Sequence, residues 1–500
     1  MYIGARHKLD VDRSFSLEVH CKENDLRKGN KMSEDGRNLP NVVRLSVIAA
    51  IGGFLFGFDS GVINGTVEGL QTAFNSDRIG TGFNVASMLL GCAVGAFIAG
   101  QLADKWGRRT VMGIAAALFL LSAWGSGISD ASAEFIIYRI IGGLAVGGAS
   151  VICPAYISEI APSHIRGSLA TLQQMAIISG LFTSFLSNYV IADTAGSSLD
   201  IWLGGFEAWR WMFWAEIIPA TAFGLLLMTI PESPRFLAAS GREDLASIVL
   251  KRIGEKHPAQ KLELIKASIK NHKSPAISDC LDSAHLLKPI VWIGVGMAVL
   301  QQISGINVVF YYGAVLWQSV GFAEADALLI NVLSGGISIL ACLIAVSFVD
   351  RVGRKPLLLI GSLGMAVSLA VVSLTFSGGS LDQAGELMLS PSAGITALVA
   401  ANAFVFCFNF SWGPVMWVML GEIFPNSLRG SALALAGLAQ WTANFTVTMS
   451  FPIFLDSLGL AMTYAIYAVG AALSLLFVFR YVGESRGLEL EQMSEDQVGL

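Results

Sequence analysis

Long apolar runs alternate with short polar segments along most of the 500-residue chain. A helix crosses the hydrocarbon core of a bilayer with about 20 residues at 1.5 Å per residue, and twelve of the runs are long enough to do so. They fall at residues 43–67, 80–103, 110–128, 132–157, 168–190, 208–230, 288–314, 325–349, 355–376, 394–421, 430–455 and 459–482. A polar segment separates the first six runs from the last six. The pattern predicts an all-α membrane protein of two six-helix bundles.

The polar segments divide the chain into five parts. We expect residues 1–42 to be a disordered cytoplasmic tail and residues 483–500 a second cytoplasmic tail. The two bundles then occupy residues 43–230 and 288–482, and residues 231–287 link them. The first 40 residues lack the apolar core of a signal peptide. Met32, followed by "SEDGRNLPNVVRLSV", is a candidate for the true start of the protein.

Composition narrows the class of function. Charged residues make up 14% of the chain and hydrophobic residues 54%, whereas soluble domains carry roughly 25% charged residues. A net charge of −5 without a basic block argues against nucleic acid as a partner. The six cysteines are scattered without a C-x-x-C motif, and all six histidines fall outside the apolar runs. We therefore expect no metal, no cofactor and no enzymatic activity.

Basic residues indicate which ends of the helices face the cytoplasm. The connections after the second, fourth, eighth and tenth runs contain "DKWGRR", "SHIRG", "DRVGRK" and "NSLRG". The opposite connections are nearly free of lysine and arginine. Because cytoplasmic loops of membrane proteins are enriched in these residues, both termini and the central linker are expected in the cytoplasm. We place the protein in a plasma membrane, in bacteria the inner membrane.

Two of these motifs recur in the second half of the chain. "DKWGRR" at 104–109 returns as "DRVGRK" at 350–355, and "SEIAPSHIRG" at 158–167 returns as "GEIFPNSLRG" at 421–430. Duplicated halves are typical of transporters that move two similar bundles around a central site. A channel or a membrane enzyme has no evident need for such duplication.

Three ionisable residues lie well inside the apolar runs: Asp59, Arg139 and Glu216. Counted at 1.5 Å per residue, all three lie roughly 9–12 Å below the outer face of the membrane. An ionisable residue at that depth is a candidate functional site. We expect Arg139 to be the partner of both acids and Asp59 to exchange a proton during transport. The alternative is a static ion pair that fixes the register of the helices.

Uncharged hydrogen-bonding residues and tryptophans form a second group of candidates. They are concentrated in the fifth, seventh, tenth and eleventh runs, in "TLQQMA", "LQQISGINVVFYY", "FSWGPVMW" and "AQWTANF". Gly413 and Pro414 can break the helix where it lines a cavity. Amides both donate and accept hydrogen bonds, and tryptophan rings pack against C–H faces, so the set suits a neutral sugar. The alternative is that these amides hold helices together.

The repeated loop motifs predict a charged gate at the cytoplasmic ends of the helices. Arginines can pair there with glutamates when the bundles close, and a network of such pairs can bias a two-state equilibrium. Independent, solvated charges are the alternative. The candidate gating residues are Arg108, Arg109, Glu159, Arg166, Glu232, Arg354, Glu422 and Arg429, with Glu484 as a further partner.

The motifs together resemble the sugar porter family of the major facilitator superfamily. The resemblance rests on "DKWGRR", "DRVGRK", "PESPRFL", "QQISGIN", "GPVMW" and "GEIFPNSLRG" in this order, and it extends from about Val43 to Glu491. In detail the chain is most similar to bacterial proton-coupled D-xylose and glucose symporters. The long amino-terminal tail is the main departure.

The resemblance implies roles for individual residues. In the family, an acid at the position of Asp59 accompanies proton symport, and the residues matching Arg139 and Glu216 belong to the same coupling group. The linker is a set of short intracellular helices. The residues that match the family's sugar ligands are Gln174, Gln301, Gln302, Asn307, Trp417 and Gln440.

We therefore expect a secondary transporter that imports a monosaccharide with a proton and works as a monomer in the lipid bilayer. A facilitative sugar uniporter with the same site is the nearest alternative. A membrane sugar sensor is a third possibility, against which the short tails argue.

Overall fold

The computed structural model describes residues 39–162, 165–270, 277–281, 286–381, 387–425 and 428–485. Most of the two predicted tails, including Met32, therefore lies outside the described residues. The helices are α1 (Leu39–Gly65, whose last turn is a 3₁₀ helix), α2 (Val67–Ala73), α3 (Arg78–Trp106), α4 (Arg108–Ile128), α5 (Ser132–Ile160), α6 (Arg166–Ala195), α7 (Ala208–Ala215), α8 (Ile217–Leu227), α9 (Pro234–Ala239), α10 (Glu243–Arg252), α11 (Pro258–Lys270), α12 (Pro289–Ile303), α13 (Ile306–Gln318), α14 (Glu324–Val352), α15 (Arg354–Ser377), α16 (Pro391–Phe410), α17 (Trp412–Ile423) and α18 (Arg429–Tyr481).

Within the described residues, ten helical segments are long and apolar enough to cross a membrane. One of them, α18, contains two spans because Gly459 adopts φ 77° and interrupts the helix. A further span consists of α7 and α8 together. The described part of the chain therefore holds the twelve predicted spans, and the all-α fold class is confirmed.

Three spans are broken near their middle, and each break has a local cause. Pro219 lacks the N–H that would bond to Ala215, and α7 ends there, next to Glu216. Gly305, at φ 79°, separates α12 from α13. The tenth span breaks at Ser411 rather than at Gly413, since the ring of Pro414 conflicts with the carbonyl group three to four residues earlier. Backbone polar groups at such breaks are free to bind side chains or ligands.

The linker is partly helical, as the family resemblance implies. It contains α9, α10 and α11, followed by a 3₁₀ turn at Ile277–Cys280. Tyr156 of α5 donates a hydrogen bond to the carbonyl oxygen of Pro231 at 2.8 Å and thereby anchors the start of the linker. Two short strands of two residues each, β1 (Ser380–Leu381) and β2 (Leu387–Met388), pair antiparallel. The sequence did not predict them.

The two halves meet at the end of the helices away from Leu39 and Tyr481, which we call the distal end. Asn64, in the last turn of α1, donates a hydrogen bond to the Phe310 carbonyl oxygen at 2.8 Å and accepts one from Asn331 Nδ2 at 2.9 Å. Arg78 at the start of α3 forms an ion pair with Asp456 of α18. These contacts hold the halves together at the distal end in this structure.

Candidate functional site

Asp59 and Arg139 form a buried ion pair in the first half. Arg139 Nη1 contacts Asp59 Oδ1, and Arg139 Nη2 lies 3.2 Å from the Asp59 carbonyl oxygen. The guanidinium also lies 3.0 Å from Met88 Sδ and 5.6 Å from the centre of the Phe213 ring. Asp59 is 0% exposed and Arg139 1% exposed. The pair joins α1 to α5 at a depth where each charge is costly without the other.

Glu216 lies near this pair but does not contact it. The carboxylate is fully buried beside the break between α7 and α8, and it interacts electrostatically with Asp59 and Arg139. Neither of its oxygens has a hydrogen-bond partner among the described residues. The predicted contact between Arg139 and Glu216 is therefore absent from this structure, and among the described residues Arg139 forms its ion pair with Asp59.

The second oxygen of Asp59 faces a small space beside Gly142. A Cβ atom added at Gly142 would lie 3.0 Å from Asp59 Oδ2 and would overlap Ser122 Oγ. Within the described residues, neither Asp59 Oδ2 nor Ser122 Oγ has a hydrogen-bond partner. Ser122, on α4, was not predicted as a site residue, because a single serine in an apolar helix carries no distinctive signal.

The predicted amides of the second half form one hydrogen-bonded chain. Asn307 donates to Gln302 Oε1 at 2.6 Å, Gln302 donates to Gln301 Oε1 at 3.0 Å, and Gln440 donates to the same oxygen at 3.0 Å. Gln301 in turn donates to the carbonyl oxygen of Trp412 at 2.8 Å, at the break of the tenth span. The structure thus brings α12, α13, α17 and α18 together through four of the six predicted sugar ligands.

The ends of this chain are accessible. Gln301 and Gln302 are 4% exposed, whereas Asn307 and Gln440 are only partly buried. Gln440 Oε1 is itself buried and has no hydrogen-bond partner among the described residues. The inner amides are thus fixed by one another, and Gln440 keeps an acceptor that no described residue uses.

The other two predicted ligands lie on the flanking helices. Gln174 of α6 is half-buried, and Trp417 of α17 is 39% exposed. Trp441 is buried on α18, and its ring lies 5.9 Å from that of Phe56 on α1. This aromatic contact joins the half that holds the charge pair to the half that holds the amides.

The candidate gating residues pair within each half. Arg108 contacts Glu159 at 3.2 Å in the first half, and Arg354 contacts Glu422 at 2.8 Å and 3.1 Å in the second. A serine donates to each glutamate: Ser233 to Glu159, and Ser485 to Glu422 at 2.5 Å. Ser233 and Ser485 were missed, although both directly follow a glutamate in the repeated "PESPR" and "GESRG" segments.

A second pair of glutamates caps helices at equivalent places. Glu232 accepts hydrogen bonds from the backbone N–H groups of Arg108 and Arg109 at the start of α4, at 3.0–3.2 Å. Glu484 does the same at the start of α15, accepting from Arg354 and Lys355 at 3.0 Å. Carboxylates suit helix N-termini, where free N–H groups point outward.

The remaining candidate arginines have different surroundings. Arg109 donates to the carbonyl oxygens of Leu227 at 3.0 Å and Met228 at 3.1 Å. Arg429 donates to the Phe424 carbonyl oxygen at 3.1 Å. The side chain of Arg166 lies outside the described part of the chain.

An acidic pair lies at the distal end, outside the membrane spans. Glu68 of α2 belongs to the first half and Glu324, at the start of α14, to the second. Burial and the nearby Glu324 carboxylate raise the pKa of Glu68, and a hydrogen bond with Gln318 opposes this. Glu324 also accepts a hydrogen bond from the backbone N–H of Ser198 at 3.0 Å, a further contact between the halves.

Comparison with known proteins gives consistent matches. The family model described as "Sugar (and other) transporter" matches residues 45–496. A "Glucose transport protein" from Synechocystis is 49% identical over 469 residues, which cover 94% of this chain and 100% of the relative. The "D-xylose-proton symporter" of Escherichia coli is 37% identical over 492 residues, covering 91% and 96%.

Solved structures of the E. coli xylose transporter match over nearly the whole chain. An inward-open structure has a TM-score of 0.76 at 37% identity and covers 90% of this chain and 99% of the other. A structure bound to 6-bromo-6-deoxy-D-glucose has a TM-score of 0.75 at 36% identity, with 91% and 99% covered.

Proposed function

Because the chain belongs to the sugar (and other) transporter family, we propose that it imports a neutral monosaccharide, a hexose or pentose, together with a proton. It is a membrane carrier that works by alternating access and catalyses no reaction. The proposal of proton coupling rests on the buried Asp59–Arg139 ion pair, which a single proton on Asp59 would break. The names of the E. coli and Synechocystis relatives support the sugar part.

The pair and Glu216 together suggest how a proton is coupled to movement. Protonation of Asp59 cancels its charge and leaves the Arg139 guanidinium buried without its partner, which is costly in a dry site. Glu216, fully buried and without a hydrogen-bond partner among the described residues, is the nearby charge that can take over Arg139. A switch of Arg139 from one acid to the other changes the contacts among α1, α5 and α7. That change biases the equilibrium between conformers.

The amide chain is the proposed sugar site. Gln301 and Gln302 are held by mutual hydrogen bonds, so their orientation is set before the sugar arrives. Asn307 and Gln440 at the accessible ends bind hydroxyl groups directly, and Gln174 and Trp417 complete the site from the flanking helices. Amides bind hydroxyl groups as donors and as acceptors, without selecting for charge.

The orientation in the membrane follows from the connections that are rich in lysine and arginine. We place the protein in a bacterial inner membrane, with the distal end outside the cell and with both termini and the linker helices in the cytoplasm. The halves then meet on the outer side in this structure, in keeping with the similarity to an inward-open transporter. We propose that one chain in a lipid bilayer is the functional unit.

The decisive experiment uses the purified protein in sealed proteoliposomes. At 100 mV, inside negative, one co-transported proton supplies about 2.3 kcal/mol, or about fifty-fold accumulation. Asp59→Asn should abolish accumulation and leave exchange of labelled sugar intact, whereas Asp326→Asn, an exposed acid at the start of α14, should accumulate sugar normally. Full accumulation by Asp59→Asn would refute proton coupling through this residue.

The same vesicles distinguish the alternatives. Wild-type uptake that equilibrates without alkalinising the medium would indicate a uniporter. Sugar binding without any flux would indicate a sensor. Competition of labelled glucose uptake by unlabelled xylose, galactose and inositol identifies the preferred sugar.

A further inference from the structure

A cavity of about 710 Å³ opens between α4 and α8 on the outer surface of the first half. Gly113, Ala116 and Leu120 line it on α4, and Thr221 and Gly224 line it on α8. Other lining side chains, including those of Leu225 and Met228, are 60% and 71% exposed, so the cavity faces the surroundings of the bundle and not the central site. In a membrane its walls face lipid.

Small side chains on both helices create the depth of this cavity. A Cβ atom added at Gly113 would meet nothing within 4 Å, and one added at Gly224 would meet only the Ala116 Cβ at 3.8 Å. Along α4 the lining extends from Arg109 to Leu120, which at 1.5 Å per residue is about 16 Å. The cavity is therefore a groove that runs from the end of the helices near Leu39 and Tyr481, which we call the proximal end, toward the middle of the membrane.

The proximal mouth of the groove carries two guanidinium groups. Arg109 uses Nε and Nη2 to bind the carbonyl oxygens that end α8, and Arg242 is an exposed side chain at the start of α10 whose Cζ lies 5.5 Å from the centre of the Phe236 ring. Neither side chain forms an ion pair with a carboxylate of the described residues. Trp106, 46% exposed, lies at the same mouth. Arginine and tryptophan are the residues expected at the level of lipid headgroups.

The one acid in the lining does not cancel these charges. The carboxylate of Glu232 accepts hydrogen bonds from the backbone N–H groups of Arg108, Arg109 and Ser233. Its negative charge therefore interacts with the free N–H groups at the N-terminus of α4, which stabilise it. Arg109 uses Nε and Nη2 for the α8 carbonyl oxygens, and Arg242 Nε donates to Ser240 Oγ at 3.2 Å. The remaining guanidinium N–H groups, Nη1 of Arg109 and both Nη of Arg242, can bind a phosphate, which guanidinium groups bind through several hydrogen bonds.

We propose that this groove binds one anionic phospholipid from the leaflet on the side of the linker helices. Its phosphate lies between Arg109 and Arg242, and one acyl chain follows the groove toward Leu120. An apolar groove with cations at one end matches an amphiphile better than it matches a second protein chain. Basic pockets between transmembrane helices on the cytoplasmic side are known to bind anionic headgroups.

Native mass spectrometry of the full-length protein in detergent tests this proposal. The protein is titrated with phosphatidylglycerol carrying 16:0 and 18:1 chains, and separately with phosphatidylcholine carrying the same chains. Wild type should bind phosphatidylglycerol more tightly. Arg242→Gln should weaken that binding by about fivefold and remove the preference, because one cation near a headgroup contributes that much. Gly113→Leu should weaken binding of both lipids, because its side chain fills the groove.

Matched controls separate the site from general effects. Lys251→Gln removes an exposed cation of α10 outside the lining, and Gly100→Leu adds a side chain to open space on α3. Both should bind lipid as wild type does, and Arg242→Lys should retain the preference. Equal affinity of wild type for the two lipids, or unchanged binding by both Arg242→Gln and Gly113→Leu, would overturn the proposal. Displacement of the lipid by glycerol phosphate alone would show instead that the arginines bind a soluble anion.

Discussion

Replacing Gly142 by alanine tests whether the free oxygen of Asp59 needs the space beside it. The new Cβ atom would lie 3.0 Å from Asp59 Oδ2, and it would also meet Ser122, with the serine Cβ at 3.0 Å and the hydroxyl in overlap. All three residues are buried where α1, α4 and α5 meet. The methyl group therefore forces the carboxylate, the serine or one helix to move.

The cost can be estimated from other overpacked cores. An extra methyl group in a filled site typically costs about 1–3 kcal/mol. If the Asp59 carboxylate has to rotate only when it binds or releases the proton, the cost of the added methyl group slows that step of the transport cycle alone. At 1.4 kcal/mol per decade, proton-driven uptake should fall by about 5- to 140-fold.

The assay compares proton-driven accumulation with sugar exchange in proteoliposomes. Gly142→Ala should lose accumulation more than exchange. Gly148→Ala is the matched control, because it adds the same methyl group to the same helix with nothing within 4 Å. Adding Ser122→Ala to Gly142→Ala removes the overlapping hydroxyl and should restore part of the accumulation, as expected for coupled neighbours. Equal accumulation by Gly142→Ala, Gly148→Ala and wild type would refute a role for this space.

Two further predictions concern the distal end. Asn331→Ala leaves Asn64 Oδ1 without its buried donor, which costs about 1–3 kcal/mol. Conformers open at the distal end should therefore rise about fivefold or more; unchanged distances between spin labels across the distal end would contradict this. Glu68→Gln should favour the closed distal end at pH 7, because it removes a carboxylate that lies near Glu324 in the closed state. The raised pKa of Glu68 means that the closed state binds the proton of this carboxyl group more tightly. Protonation of Glu68 therefore favours closure fully below the ordinary pKa of 4.5, and this contribution is lost as the pH rises through the raised pKa. The same spin-label distances, measured from pH 5 to 8, should depend less on pH in this variant than in wild type. They should keep the wild-type pH dependence in Glu134→Gln, which changes an exposed acid at the start of α5.

The number of spans could be predicted from the sequence because the bilayer sets the length of an apolar helix. The meeting of Asp59 and Arg139 followed from counting residues, since two helices that cross the same membrane share a depth scale. Counting gives depth but not direction around the helix axis. Glu216 lies near enough to interact electrostatically with the pair, yet it lies beside a break that Pro219 introduces, and it does not contact Arg139.

The repeated loop motifs identified which arginines and glutamates interact at the ends of the helices, but they did not identify which residue pairs with which. Arg108 and Arg354 each contact a glutamate of their own half, at equivalent places of the two repeats. The capping of α4 by Glu232 was not predicted, because it requires the loop after α8 to return to the start of α4. Gly107 makes this possible: it has φ 96°, and a Cβ atom there would overlap the Glu232 carboxylate.

The distal amide contact could not be found from the sequence. Asn64 and Asn331 are 267 residues apart, each is a single uncharged residue, and neither stands in a repeated motif. Their pairing depends on the close approach of α1 to α13 and α14. Gly313 permits that approach, since a Cβ atom there would lie 3.0 Å from Asn64 Nδ2 and would overlap Asn331 Oδ1.

In the proposed mechanism, the proton and the sugar bind to two helices that contact each other, α1 and α13. The proton binds Asp59 on α1, and the sugar binds Asn307 on α13. Tyr311, one turn beyond Asn307, lies next to Ser60, the neighbour of Asp59. A displacement of either helix therefore changes the same contact, and binding at one site must alter affinity at the other by an equal factor. Coupling is then a property of the contact between α1 and α13, and it can be weakened there while both binding sites remain intact.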